Sequence, residues 1–135
     1  MIIQTIVDRL NAAAPLLGKR ARLMRDITDI EDIDQDLPAA FVLRLSDTAA
    51  QQNGVGRLVT QQRTRQFVVT LMAAPVTSNA EPMEPLRTQI HAALIDWAGQ
   101  DEQIEYAGGE ALPPIGGVDR WQDRYQYTDH IRYQL

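Results

Sequence analysis

Between Arg120 and Leu135 apolar and polar side chains alternate. Trp121, Tyr125, Tyr127, Ile131, Tyr133 and Leu135 fall at odd positions; Arg120, Gln122, Arg124, Gln126, Thr128, His130, Arg132 and Gln134 fall at even ones. Successive side chains of a strand point to opposite faces, so this stretch predicts a strand with one apolar and one wet face. Asp123 and Asp129 interrupt the apolar row, and Thr128–Asp129 is expected to mark a bend or bulge. Half-wet strands belong to antiparallel or mixed sheets. A second long extended stretch runs from Arg57 to Ala73. In its second half Phe67, Val69, Leu71 and Ala73 alternate with Val68, Thr70 and Met72, the pattern of a central strand. Its first half, Thr60–Gln66, is polar on both faces and is expected to run past the core. With the polar stretch Ser46–Gly56 before it, expected to be a loop because of Asn53-Gly54 and Gly56, it predicts a long hairpin whose tip projects. Arg63 and Arg65 share the face of Phe67.

Helical spacing appears twice. Ile3, Ile6, Val7, Leu10 and Ala14 predict a helix over residues 2–14 that Pro15 ends. Leu86, Ile90, Ala93, Leu94 and Trp97 form the stripe of a second helix, with Ser78 or Asn79 expected to cap it, Pro82 near its first turn and Gly99 at its end. Shorter strands are expected at Arg20–Ile27, at Leu37–Leu45 behind Pro38, and at Gln103–Ala107. Gly108-Gly109, Pro113-Pro114 and Gly116-Gly117 are expected to bracket a connection. The fold class is α+β: a single domain over residues 1–135, with a twisted, mostly antiparallel mixed sheet, two helices on one face and a projecting hairpin.

Composition narrows the function. The 135 residues suit one domain able to bury roughly two thirds of its unfolded surface. No apolar run approaches the roughly 20 residues of a membrane span, and the start lacks the pattern of a secretory signal, which suggests cytoplasmic synthesis. With no cysteine there is no disulfide framework and no thiolate chemistry. A net charge of −5 argues against a general nucleic-acid binder. Lys19 is the only lysine. Arginine suits protein interfaces, although a GC-rich genome yields the same bias.

Catalytic and metal motifs are missing. Asp32-x-Asp34-x-Asp36 copies the start of a calcium loop, but Leu37 and Leu43 stand where that loop needs Gly and Glu, so an acidic loop is expected instead. His91 lies beside an apolar stripe and suits a structural role. Asp123 with His130 could form a dyad, but an exposed strand carboxylate is far more often solvated or ion-paired, and no further titratable groups converge there. No cofactor, metal or catalytic residue is assigned. The wet face of the last strand, dense in Arg and Gln, suits a protein contact better than a small-molecule pocket.

Leu37-Pro-Ala-Ala-Phe-Val-Leu, Gln61 through Arg65-Gln-Phe-Val-Val, Leu86-Arg with Ile90, Leu94 and Trp97, Gly108-Gly109 and Trp121-x-Asp123-x-Tyr125 together resemble the bacteriophage tail terminator family, also known as minor tail or tail completion proteins. The resemblance implies a non-enzymatic virion protein, assembled in the bacterial cytoplasm. It implies a ring, commonly hexameric, that caps the head-proximal end of the tail tube and stops its polymerisation. The implied partners are other copies of the chain, the tube protein and a neck or head-completion protein, with genomic DNA passing through the ring and no sequence-specific nucleic-acid contact. Arg57, Arg63, Arg65, Arg120, Arg124 and Arg132 are the expected interface residues, with Arg63 and Arg65 meeting the acidic 26–36 loop of a neighbour. A head-completion connector ring or a monomeric protein-binding module are the alternatives.

Overall fold

The computed structural model describes residues 3–24, 37–50, 53–55, 58–77, 79–95, 97 and 103–134. Helix α1 (Ile3–Ala13) buries Ile6, Val7 and Leu10, one stripe of a 3.6-residue period. A 3-10 turn over Pro15–Leu17 ends it, closed by Gly18 in the left-handed region at φ 55°. Strand β1 (Ala21–Leu23) then starts on the amide of Asn11. That side chain accepts from Ala21 N–H at 2.9 Å and donates to its carbonyl at 3.0 Å. β1 is shorter than the expected Arg20–Ile27; residues 25–36, the acidic stretch included, lie outside the described residues.

β2 (Ala39–Ala49), β3 (Asn53–Val55), β4 (Leu58–Ala73), β5 (Glu105–Ile115) and β6 (Val118–Gln134) complete one mixed sheet, ordered β1-β2-β4-β6-β5 with β3 beside β4. β1 pairs parallel to β2 and all other pairs are antiparallel. Helix α2 (Met83–Ile95) buries Met83, Leu86, Ile90, Ala93 and Leu94. Both helices cover one face, against Ala40, Val42, Phe67, Val69, Leu71, Tyr125 and Tyr127. Phe67 and Tyr125 stack there at 5.5 Å; burying an aromatic ring of this kind contributes about 2–3 kcal/mol. Arg9 donates to the carbonyl of Ala93 at 2.8 Å and lies over the Trp97 ring, tying the last turn of α2 to α1.

Four expectations need correction. Ser46–Gly56 is not one loop: β2 runs to Ala49 and β3 follows on the same side of β4, so most of the stretch is paired strand. Cross-strand partners on β4 supply the order that its polar composition concealed. β5 does not stop at Ala107. It passes through Gly108-Gly109 with a register shift between Tyr106 and Gly108, and continues over Pro113-Pro114. As an edge strand it tolerates residues without an N–H. Only Gly116-Gly117, at φ 57° and 78°, is a turn, the two-residue hairpin type that needs positive φ at both positions. Thr128–Asp129 marks no bulge, because β4 and β6 stay in register from Leu58–Gln134 to Ala73–Asp119. Asn79 does not cap α2: the helix begins four residues later, and Asn79 N–H is bonded to Thr77 Oγ1. Ser78 and Gly99 lie outside the described residues.

Candidate functional site

Three groups of side chains stand out once the register is known. Odd residues of β4 and β6 share the helix-covered face, and even residues face away. On that second face Arg120, Gln122, Arg124 and Gln126 follow one another along β6, half-buried, while His130 and Arg132 are exposed. The face is not wet throughout. Ala39, Phe41, Met72 and Val118 form a small apolar cluster at one end, and Thr70 and Val68 are buried between the β2 and β6 side chains. Arg22 lies over the Phe41 ring at 5.7 Å. Arg120 Nε is buried without a hydrogen-bond partner.

The second group lies where β2, β4 and β6 outrun the core. Beyond Phe67 and Tyr127 these strands add nothing to either apolar cluster among the described residues. Polar pairs hold the ribbon in register instead. Arg63 grips Asp129 at two points, Nε to Oδ1 at 2.9 Å and Nη2 to Oδ2 at 2.8 Å. That hydrogen bonding holds the Asp129 carboxyl below its usual range. One rung away on the same face, Arg65 donates to Asp47 at 3.1 Å. Gln66 donates to Gln126, and the Thr64 and Thr128 hydroxyls are 3.5 Å apart. Such cross-strand pairs fix register and each contributes a fraction of a kcal/mol.

The third group is buried. Asp123 is 0% exposed and sits in the apolar row of β6. Arg87 of α2 reaches it through Nε and Nη2, both at 3.1 Å, and lies over the Trp121 ring at 4.2 Å. Tyr106 Oη donates to Asp123 at 2.9 Å and Trp121 Nε1 at 2.8 Å. A Cβ on Gly109 would meet Asp123 Oδ1, so the glycine makes room for the carboxylate. Burial works against the Arg87 charge, but hydrogen bonds to Asp123 and Glu84 outweigh it and raise its pKa. Beside this group His91 Nδ1 lies 2.7 Å from Tyr125 Oη. Burial lowers the His91 pKa and raises that of Tyr125.

The six expected arginines therefore divide. Arg63 and Arg65 lie on the helix-side face past the helices, bonded to Asp129 and Asp47 of the same chain. Arg120, Arg124 and Arg132 lie on the opposite face, and Arg57 falls outside the described residues. The supposed Asp123–His130 dyad does not form: the aspartate is buried under α2 and the histidine is exposed on the other side. The expected structural role of His91 agrees with its bond to Tyr125. The sequence reading missed Arg87 as the partner of Asp123. An aspartate flanked by Trp121 and Tyr125 in an apolar row was the signal that a cation had to come from the covering helix.

Among the described residues no three of His, Cys, Asp and Glu converge as a metal site, and no described helix is long and apolar enough to cross a membrane. What the geometry offers is a sheet with one covered face and a polar ribbon beyond it, held by side-chain pairs. No curated protein matches the chain. The phage tail terminator protein family matches residues 1–134, and on that correspondence the chain belongs to this family of structural proteins of phage tail assembly.

Proposed function

We propose that copies of this chain close into a ring, a hexamer on the family resemblance, that caps the head-proximal end of a tail tube. The observation that carries the reading is the ribbon of β2, β4 and β6. It runs past both apolar clusters of the described residues, and that surplus length supports a contact outside the subunit. One ring surface copies the docking surface of the tube subunit, the other lacks it and meets the neck, and that asymmetry ends polymerisation. Genomic DNA passes through the opening. Heterologous contacts close into rings when the rotation permits, so the assembly requires no second protein.

Arg120, Arg124 and Arg132 are the proposed contact arginines of the sheet face, giving partner choice and encounter rate more than raw affinity. Arg63 and Arg65 act through their bonds to Asp129 and Asp47, by keeping the ribbon in register. Any contact with a neighbour's acidic 26–36 stretch has to compete with those bonds. Mass measurement in solution and electron microscopy with purified tubes test the reading. The expected result is a ring mass and density at one tube end. A monodisperse single subunit that never decorates a tube overturns it.

A further inference from the structure

The helix layer carries a projection on one flank of α2 and a cleft on the other. The projection follows α1. Pro15–Leu17 turns, and Gly18 and Lys19 continue in the left-handed region at φ 55° and 63°, where few residues other than glycine are found. The turn is braced from within and from outside. Gly18 N–H donates to the Pro15 carbonyl and Arg20 N–H to that of Leu17, both at 3.0 Å, and Leu16 N–H donates to Gln89 Oε1 of α2 at 2.8 Å. Leu17 is fully buried and anchors it. Outward it shows Leu16, 43% exposed, and Lys19, the one lysine of the chain. An apolar side chain and a cation thus stand side by side on a fixed turn.

The cleft, of about 310 Å³, lies between the first turn of α2, the loop before it and β5. Val76, Met83, Ala111, Leu112 and Trp121 wall it. Val76 is 58% exposed, and Ala111, the strand partner of Trp121 on the helix-covered face, is exposed as well. Asp119 accepts the Val76 N–H at 3.3 Å and so holds that wall in place. Three carboxylates, Glu81, Glu84 and Asp119, stand around the space against the guanidinium of Arg120. The charge of the nearby Arg87 is shared between Glu84 and the buried Asp123. Apolar walls with a surplus of carboxylates suit an apolar side chain that has a cation beside it.

The turn and the cleft are kept apart by α2. Gln89 meets the turn and Arg87 reaches across to Asp123, and two residues separate side chains by about 200° around a helix. In the sheet the turn leads into β1, at one end of the strand order, while the cleft abuts β5 at the other. Different surfaces of one molecule that fit each other repeat head to tail until they close.

We propose that the Leu16–Lys19 turn of one copy seats in the cleft between α2 and β5 of the next, with Leu16 against Trp121 and Leu112 and Lys19 among Glu81, Glu84 and Asp119. The contact rests on the ring reading above and names the surfaces that make it.

The single lysine makes the native chain its own probe. A carbodiimide joins an amine to a carboxylate only where the two touch. Assemblies formed from equal parts of isotope-labelled and unlabelled chain are treated, digested and read by mass spectrometry. Lys19 should be joined to Glu81, Glu84 or Asp119 with both labels in one cross-linked pair, and Lys19→Arg should remove that product. A ring by mass in which Lys19 couples elsewhere, couples to nothing or never mixes labels overturns the proposal while the ring reading stands. A chain that stays monomeric or stops at the dimer removes both. Leu16→Asp and Ala111→Arg attack the joint from its two sides. Both sites are exposed, so circular dichroism and melting should not change while the dissociation constant of the assembly rises roughly tenfold or more. Mixed, the two variants should give dimers and nothing larger, since each pair keeps one intact turn and one intact cleft. Full rings from either variant alone overturn the joint.

Discussion

Two aspartates interrupt the same apolar row of β6, and their fates differ with their place on the strand. Asp123 lies under α2, is fully buried and receives four hydrogen bonds from Arg87, Tyr106 and Trp121. Asp129 lies past the helices and is gripped by Arg63 in the same two-point manner, but both side chains reach water, at 16% and 27% exposure. The chemistry is alike and the surroundings are not. A buried pair must be complete, because a lone charge in the core costs several kcal/mol, whereas water replaces either member of an exposed pair. The first pair therefore locks a helix to the sheet. The second helps to set the register of a ribbon that runs past both apolar clusters of the described residues.

The sharpest way to break this comparison is to remove each carboxylate in turn. Asp123→Ala should destabilise by about 3–5 kcal/mol in urea unfolding, since Arg87 is left buried against Trp121 with Glu84 as its remaining anion. Asp129→Ala should lower the melting point far less than Asp123→Ala and act chiefly on assembly. Equal losses of stability would end the distinction. Gly109→Ala should cost about 1–3 kcal/mol, because the new methyl enters the space of Asp123 Oδ1 and comes within 2.9 Å of Trp121 Nε1 and 2.7 Å of Tyr106 Oη. A neutral result would mean that the carboxylate can shift.

The smallest effect is one of pH. Burial lowers the His91 pKa below 6.5, so the unfolded chain takes up a proton before the folded one does. Stability contributed by neutral His91 is present above about pH 7 and is lost as pH falls from there toward the folded value. The urea midpoint should therefore drop between about pH 7 and pH 5, and His91→Gln should flatten that slope. Asp129 acts in a lower window: its depressed pKa contributes stability above the usual carboxylate range that disappears as pH falls through the folded value. A slope between pH 7 and 5 that survives His91→Gln would assign the titration elsewhere.

Period and alternation placed both helices and both long strands to within a few residues, since these patterns reflect which side chains must leave water. α1 and α2 bury the stripes the spacing marked, and the odd row of β6 faces them. The polar segments resisted this reading. Ser46–Ala49 and Asn53–Val55 become strand through neighbours on β4, and Glu110–Ile115 becomes strand on β6 despite two prolines. Local composition says nothing about a partner tens of residues away. For the same reason Asp123 and Asp129 look alike in sequence, and only the packing of α2 against one half of β6 makes one a core anchor and the other a ribbon clasp.

By itself, then, the chain of letters settled the class of fold, the buried face and the family, because each follows from local periodicity or from the succession of segments. Tertiary structure decided how far β5 runs along β6, which arginine meets which aspartate, and how far the strands run past the helices. Those are consequences of register and strand order, set by contacts between residues far apart in the chain.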